Sequence, residues 1–94
     1  MKGDFPAVVS ALKQPLGLAK KGFRGRISAI HPLDGGGSLP PEELERRLIE
    51  LGFVEGAPVE ILHEGLIGRD PIAVRVDGAT VALRRREAMS IVVQ

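Results

Sequence analysis

The sequence predicts a mainly β domain with five short strands, one α-helix in the long loop after the first strand, and a helical turn before the last strand. Several short runs alternate apolar and polar residues, as half-buried strands do, whereas residues 41–51 show the wider spacing of an amphipathic helix. An Asp-Gly pair between two alternating runs is typical of a tight β-hairpin. With 94 residues, the chain is long enough for one domain with a small core.

The first strand is predicted in the run FRGRISAI. Phe23, Ile27 and Ala29 share one face of this run, and charged or polar residues occupy the other face. Ile30 falls on the polar face, so we expect a bend or bulge near the end of the strand. The following stretch DGGGSLPP, residues 34–41, is predicted to be a loop because of its glycines and prolines.

The helix is predicted to begin at Pro41. Proline suits the first helical position because the N–H of that position has no partner in a helix. The apolar stripe of the helix consists of Leu44, Leu48 and Leu51. Charged residues on the outer face are predicted to pair at a spacing of four, Glu42 with Arg46 and Glu43 with Arg47.

Two glycines turn the chain from this helix into the second strand. Gly52 is predicted to end the helix in the left-handed conformation, which places Phe53 opposite Leu48. Glu55 and Gly56 are predicted to form a type II turn, with Gly56 at its positive-φ position. The helix is therefore expected to fold back against the strands that it precedes.

A period-two pattern follows Gly56 and predicts the second strand. Val59, Ile61 and His63 lie in the inward phase of this strand. The next stretch, EGLIGRDP at residues 64–71, is predicted to be a loop.

The clearest local signal is IAVRVDGATVAL, residues 72–83. Asp77 and Gly78 suit the two positive-φ positions of a type I′ turn. A two-residue loop then pairs the apolar positions of the flanking strands: Val76 with Ala79, Val74 with Val81, and Ile72 with Leu83. Turn chemistry and hydrophobic pattern select the same register.

The last elements are a helical turn in RRREAM and a strand in SIVV, which directs Ile91 and Val93 inward. The order of strand, helix-bearing loop, three strands, helical turn and final strand is that of an SH3-like small barrel. Residues 16–94 are interpreted as this domain. Residues 1–15 are interpreted as a leader that is mobile or forms a short helix.

Composition narrows the classes of function. A formal net charge of +1 supplies little field for attracting a polyanion, and the absence of cysteine excludes disulfides and thiolate ligands. The apolar run from Ala7 to Leu12 is too short for a signal peptide, and no run approaches the length of a membrane span. We therefore expect a soluble cytoplasmic protein.

Catalytic and metal chemistry have little support in the sequence. The hydroxyl residues are Ser10, Ser28, Ser38, Ser90 and Thr80, and none lies in a nucleophile motif, so we expect no enzymatic activity. His31, His63 and Glu64 are candidate metal ligands because imidazole and carboxylate suit ferrous iron. Their spacing forms no recognised ligand set. We therefore expect neither a dedicated metal site nor a cofactor.

Two basic clusters raise a nucleic-acid-binding small barrel as the alternative function. The clusters consist of Lys20, Lys21, Arg24 and Arg26, and of Arg84, Arg85 and Arg86. Small barrels do bind RNA and DNA. The balanced charge and the lack of aromatic stacking platforms argue against this function, so no nucleic-acid partner is expected.

A protein partner has its own local support in Leu66 and Ile67. These adjacent large apolar residues are bounded by glycines, and alternation buries only one of them easily. Either the loop folds back over an end of the barrel, or it forms a contact site beside Arg69. Arg46 and Arg47 on the outer face of the helix are further candidates for contact with an acidic surface.

Four stretches, taken together in order, resemble the FeoA-type ferrous iron transport proteins from about Leu18 to Val93. LAKKGFRGRISAI is similar to the family's opening strand and RRLIELGFVEG to its helix with the Leu-Gly turn. GRDPIAVRV is similar to its Asp-Pro-Ile strand entry and VALRRREAMSIVV to its Leu-Arg-x-x-x-Ala closing segment. The chain departs from the family at Glu55, where proline is common; this removes a preset φ but not the turn.

The resemblance implies a small cytoplasmic accessory protein that works with FeoB, the membrane ferrous iron transporter with a cytoplasmic GTP-binding domain. It implies contact with the cytoplasmic part of that transporter rather than catalysis, since the family offers no catalytic motif to carry over. The chain would then be peripheral to the membrane only through its partner. Self-association is left open.

Overall fold

A computed structural model describes residues 12–31 and 39–94 of the chain. Strands predominate, as predicted. The elements in chain order are β1 (Gln14–Pro15), a 3-10 turn (Leu16–Leu18), β2 (Arg24–Ile30), α1 (Pro41–Glu50), β3 (Pro58–Ile67), β4 (Asp70–Val76), β5 (Ala79–Leu83), α2 (Arg85–Ala88) and β6 (Ile91–Val93).

All strand pairs are antiparallel and form one six-stranded sheet in the order β1-β6-β2-β3-β4-β5. The five predicted strands, the helix between the first two of them and the helical turn before the last are all present. One strand is additional, because Gln14 and Pro15 pair with Val93 and Val92 at the edge of the sheet. Of the leader predicted at residues 1–15, residues 1–11 lie outside the described residues, as does the Gly35–Gly37 part of the predicted loop.

The core is aliphatic and lies between the sheet and the two helices. Among the described residues, Phe53 is the one aromatic side chain that is fully buried. The other buried apolar residues are Leu16, Ala19, Ile27, Leu44, Leu48, Val59, Ile61, Ile72, Val74, Val76, Leu83, Ala88, Ile91 and Val93. Burial of these side chains is the main source of the stability of the fold.

Helix α1 begins and ends as its sequence predicts. Pro41 occupies the first helical position, and Leu44 and Leu48 are buried. Gly52 has a φ of 106°, its N–H donates to the Ile49 carbonyl, and the Phe53 N–H donates to the Leu48 carbonyl over 2.9 Å. These two bonds define the predicted Schellman stop.

The ion pairs predicted along α1 are wrong. Neither Glu42–Arg46 nor Glu43–Arg47 is among the ion pairs of the described residues; Arg47 instead lies 3.8 Å from Glu87 of α2. Pairs at a spacing of four contribute only about 0.3 kcal/mol, so a tertiary neighbour easily replaces them.

The hairpin of β4 and β5 has the predicted turn and register. Asp77 and Gly78 have φ values of 50° and 78°, as a type I′ turn requires. The three predicted apolar pairs are those observed: Val76 with Ala79, Val74 with Val81, and Ile72 with Leu83.

The predicted irregularity of the first strand is also confirmed. The register of β2 against β6 shifts between Ile27 and Ala29, so Ser28 is an extra residue in the strand. Ile30 consequently pairs with the buried Ile91 and packs against the core.

The loop predicted at residues 64–71 is wrong. Strand β3 continues to Ile67, β4 begins at Asp70, and Gly68 and Arg69, with φ values of 66° and 59°, connect the two strands. The segment is therefore a β-hairpin with a two-residue turn. The loop was predicted because Gly65 and Gly68 are typical loop residues.

The inward position predicted for His63 is wrong for a related reason. The register of β3 against β4 shifts between Ile61 and His63, which makes Leu62 an extra residue and reverses the alternation beyond it. His63 is exposed, and Glu64 takes the position opposite the buried Ile72.

Neither α1 nor α2, the two α-helices in the described part of the chain, is long and apolar enough to cross a membrane.

Candidate partner-binding site

The tip of the β3–β4 hairpin, which consists of Leu66, Ile67, Gly68 and Arg69, is exposed and carries two large apolar side chains. Leu66 has a relative exposure of 103% and Ile67 of 88%, the highest values among the large exposed apolar residues described. The alternative in which this segment folds back over an end of the barrel is therefore not observed. Both side chains lie in solvent.

The base of the hairpin is held by the side chain of Arg85 on α2. Its Nη2 donates to Glu64 Oε2 on β3 over 2.7 Å, and its Nε donates to the Arg69 carbonyl in the turn over 2.8 Å. The Arg85 backbone N–H also donates to Asp70 Oδ1 on β4 over 2.9 Å. One residue thus contacts both strands of the hairpin and its turn.

The same guanidinium connects the hairpin to the start of the domain. Arg85 Nη1 donates to the carbonyls of Gly17 and Ala19 over 3.0 and 2.6 Å. The backbone N–H of Lys21 adds a bond to Glu64 Oε2 over 3.2 Å. Because the side chains of Arg85 and Glu64 are only 19% and 18% exposed, water competes weakly for the bonds that Arg85 makes to Gly17, Ala19 and Glu64.

A glycine allows the hairpin strands to approach closely at this level. A Cβ placed on Gly65 would collide with the backbone carbonyl oxygen of Asp70. The register of β3 against β4 shifts here for a second time, between Glu64 and Ile67. The hairpin is thus bent just before its apolar tip.

The remaining candidates for partner contact lie on α1, a different element. Arg46 is exposed there, whereas Arg47 is engaged by Glu87. Arg69 is exposed at the hairpin tip, next to Ile67 in the turn.

The candidate metal ligands are not brought together. His31 follows the end of β2, while His63 and Glu64 are successive residues of β3, with Glu64 bound to Arg85. Across residues 12–31 and 39–94, no group of three His, Cys, Asp or Glu side chains is arranged to hold a metal ion.

The two basic clusters differ in how free their charges are. In the second cluster, the Arg85 side chain is occupied by hydrogen bonds to Gly17 and Glu64. In the first, Arg26 donates to the Gly56 carbonyl over 2.9 Å, and Arg24 lies 4.0 Å from Glu60. These two arginines border an open groove of about 680 Å³ whose lining also contains two carboxylates.

The role of Arg85 was not predictable from local sequence. Residues 84–86 are three consecutive arginines, and the sequence alone places all three in one basic cluster. Only the fold shows that the middle one points toward the hairpin while Arg84 and Arg86 are exposed.

These features define a class of protein: a small, mainly β domain with SH3-like architecture and an exposed hairpin tip. The model of the FeoA domain matches residues 14–94, and the chain therefore belongs to the FeoA family. This family is associated with ferrous iron transport and consists of small accessory domains, not of known enzymes.

Solved structures agree with the family assignment. The FeoA of Stenotrophomonas maltophilia, solved with zinc and described as an SH3 domain protein, is 30% identical with a TM-score of 0.68, over 89% of this chain and 91% of that chain. The FeoA protein of Chlorobium tepidum is 31% identical with a TM-score of 0.67, over 85% and 68% of the two chains. The FeoA-like protein of Clostridium acetobutylicum is 26% identical with a TM-score of 0.71, over 87% and 85%.

The same fold occurs within larger regulators. A manganese-dependent transcriptional repressor shares the fold with a TM-score of 0.67 at 22% identity, and the match spans 40% of that chain. Comparison with curated proteins gave no match.

Proposed function

We propose that this chain is an accessory protein of ferrous iron uptake that binds the cytoplasmic part of an FeoB-like transporter through the tip of the β3–β4 hairpin. Membership of the FeoA family supports the link to iron uptake. The observation that carries the proposed contact is the simultaneous exposure of Leu66 and Ile67. The protein acts in the cytoplasm and reaches the membrane through this partner.

The hairpin tip has the chemistry of a protein-binding anchor. Burying a leucine or isoleucine side chain contributes roughly 1.5–3 kcal/mol, so the two residues supply about 3–6 kcal/mol before the costs of association. Arg69 at the same tip supplies a guanidinium, a group enriched at binding hot spots. A small apolar pocket bordered by carboxylates is the matching surface expected on the transporter.

The way in which the tip is supported favours binding. Arg85 fixes both strands of the hairpin at its base, so the tip is presented on ordered backbone. A preordered segment loses less conformational entropy on binding than a mobile loop does. Arg46 on α1 is proposed as a secondary contact for an acidic surface. Arg47 is a weaker candidate because Glu87 already accompanies it.

Leu66→Asp tests the proposal in a binding assay with the purified cytoplasmic domain of the FeoB-like transporter from the same source. The substitution removes an anchor and places a carboxylate in an apolar contact, so we expect affinity to fall by roughly 30-fold or more. Leu18→Asp is the matched control because Leu18 is also exposed, at 63%, but lies on the 3-10 turn. Equal binding by Leu66→Asp and wild-type protein, both folded by circular dichroism, would exclude the hairpin tip.

A further inference from the structure

Strand β5 forms one edge of the sheet. It is the last strand in the order β1-β6-β2-β3-β4-β5, and β4 is the only element with which it makes extensive contact in the described part of the chain. The side chains of Thr80 and Ala82 are exposed, whereas Leu83 is buried. Among the described residues, no backbone group bonds to the side of β5 that faces away from β4.

The hairpin turn determines which backbone groups this edge offers. In a hairpin with a two-residue loop, the residues flanking the loop form a hydrogen-bonded pair, and such pairs alternate along an antiparallel ladder. Val76 with Ala79 and Val74 with Val81 are therefore hydrogen-bonded pairs. The N–H and C=O groups of Thr80 and Ala82 consequently point away from β4, toward the open side.

The two edges of the sheet differ in their protection against strand pairing. The edge strand β1 is only two residues long and contains Pro15, which lacks an N–H. Strand β5 has five residues with the sequence ATVAL, without charge or proline, and with the β-branched residues that favour strands. Within the part of the chain that the structure describes, β5 thus has none of the usual devices that prevent a further strand from pairing with an edge.

We propose that β5 pairs antiparallel with β5 of a second copy, forming a two-fold symmetric dimer centred on Val81. In this register Thr80 lies opposite Ala82 of the second copy, and the outward N–H and C=O groups of both residues form four hydrogen bonds. The same register places Val81 opposite itself. The free groups of the edge are therefore self-complementary.

Charges at the ends of the strand favour the same arrangement. Asp77 precedes β5 and Arg84 follows it, and both are exposed. Antiparallel self-pairing centred on Val81 brings Gly78 opposite Arg84 of the second copy, so each Asp77 lies one position from an Arg84. Parallel pairing would instead place like charges together at each end.

The pairing is expected to be weak, because one strand pair buries far less surface than a standard protein interface of roughly 1,600 Å². We expect a dissociation constant on the order of 100 µM, weaker than is usual for a standard interface. The sheet would then extend through two copies with no exposed β5 edge. This interaction uses a different strand from the hairpin tip and does not depend on the transporter.

Self-association of the full chain is measured by sedimentation over roughly 10–1000 µM, together with residue-resolved amide exchange by NMR. We expect dimers at high concentration, and protection of the Thr80 and Ala82 amides that rises with concentration. Protection that is equally strong at the lowest concentration would show that another part of the same chain covers the edge. That result, or a monomer at all concentrations, would overturn the proposal.

Two substitutions and one control separate this pairing from other contacts. Thr80→Pro removes an outward N–H without breaking the β4 ladder and should abolish the dimer. Arg84→Asp places like charges beside Asp77 of the second copy and should weaken the dimer about tenfold at low salt, while aspartate remains a good residue at this helix N-cap. Arg86→Asp makes the same charge change on α2, outside the paired strand, and should weaken the dimer less than Arg84→Asp does. An equal loss in Arg84→Asp and Arg86→Asp would contradict the antiparallel register.

Discussion

Replacing Arg85 by alanine should destabilise the domain more than any other substitution of a charged residue in the described part of the chain. The guanidinium donates to the carbonyls of Gly17 and Ala19 and to Glu64, all three part-buried bonds, and to the exposed carbonyl of Arg69. Each part-buried bond to a charged group is assigned about 1 kcal/mol after allowance for partial solvation, and the exposed bond about zero. The expected loss is therefore about 3 kcal/mol.

This loss is large relative to the total free energy of unfolding. A domain of this length has a free energy of unfolding of roughly 5–14 kcal/mol, so the substitution removes a fifth or more of it. The melting temperature should fall by roughly 12–24 °C, because each kcal/mol corresponds to about 4–8 °C in a domain of this size. Urea denaturation followed by far-ultraviolet circular dichroism measures the free energy directly.

Two variants make the test of Arg85 specific. Arg86→Ala removes an exposed arginine from the same helix and should change stability by less than about 0.5 kcal/mol. Arg85→Lys should recover only part of the loss, because one ammonium cannot reach four acceptors in the fixed geometry of a guanidinium. If Arg85→Ala cost less than about 1 kcal/mol, the contacts of this side chain would not hold the hairpin base.

Two further predictions concern the core and the bent hairpin. Phe53→Ala should lower the free energy of unfolding by about 3–5 kcal/mol, since Phe53 is fully buried and is the only aromatic residue among the buried residues described. Thermal melting measures this loss. A loss below about 1 kcal/mol would contradict the central position of Phe53 in the core. Gly65→Ala should destabilise the domain by about 2 kcal/mol, because the new Cβ collides with the backbone of Asp70. The control is Gly56→Ala, which replaces a glycine in open space and should cost only about 1 kcal/mol because of the positive φ at Gly56. Urea titration measures both losses. Equal losses in the two glycine variants would mean that the hairpin strands move apart readily.

The sequence was sufficient to predict those segments whose geometry depends only on residues nearby in the chain. The Schellman stop at Gly52 and the type I′ turn at Asp77 and Gly78 each need positive φ at a residue type that tolerates it. The apolar pattern of residues 72–83 then fixes the strand register. In these places turn chemistry and hydrophobic pattern agree, which explains why each was correctly predicted.

The β3–β4 hairpin was missed because its geometry depends on the partner strand. The sequence around Leu62 contains no glycine or proline to indicate an extra residue, yet the register shift there reverses the side-chain alternation of the rest of β3. His63 consequently lies outside and Glu64 inside. Which of His63 and Glu64 faces inward is determined by the positions of β4 and α2, since Ile72 of β4 and Arg85 of α2 are the neighbours of Glu64.

The bulge in β3 also explains why the chain can expose two adjacent apolar residues. Reversed alternation brings Glu64 to Arg85, and this ion pair, with the Asp70 and Arg69 contacts, fixes the hairpin at its base. The second register shift bends β3 before Leu66, so neither Leu66 nor Ile67 can reach the core. Their exposure thus follows from the geometry of the strand. An apolar tip held in solvent by part-buried polar contacts at its base is costly for an isolated domain, and contact with a partner would compensate for this cost.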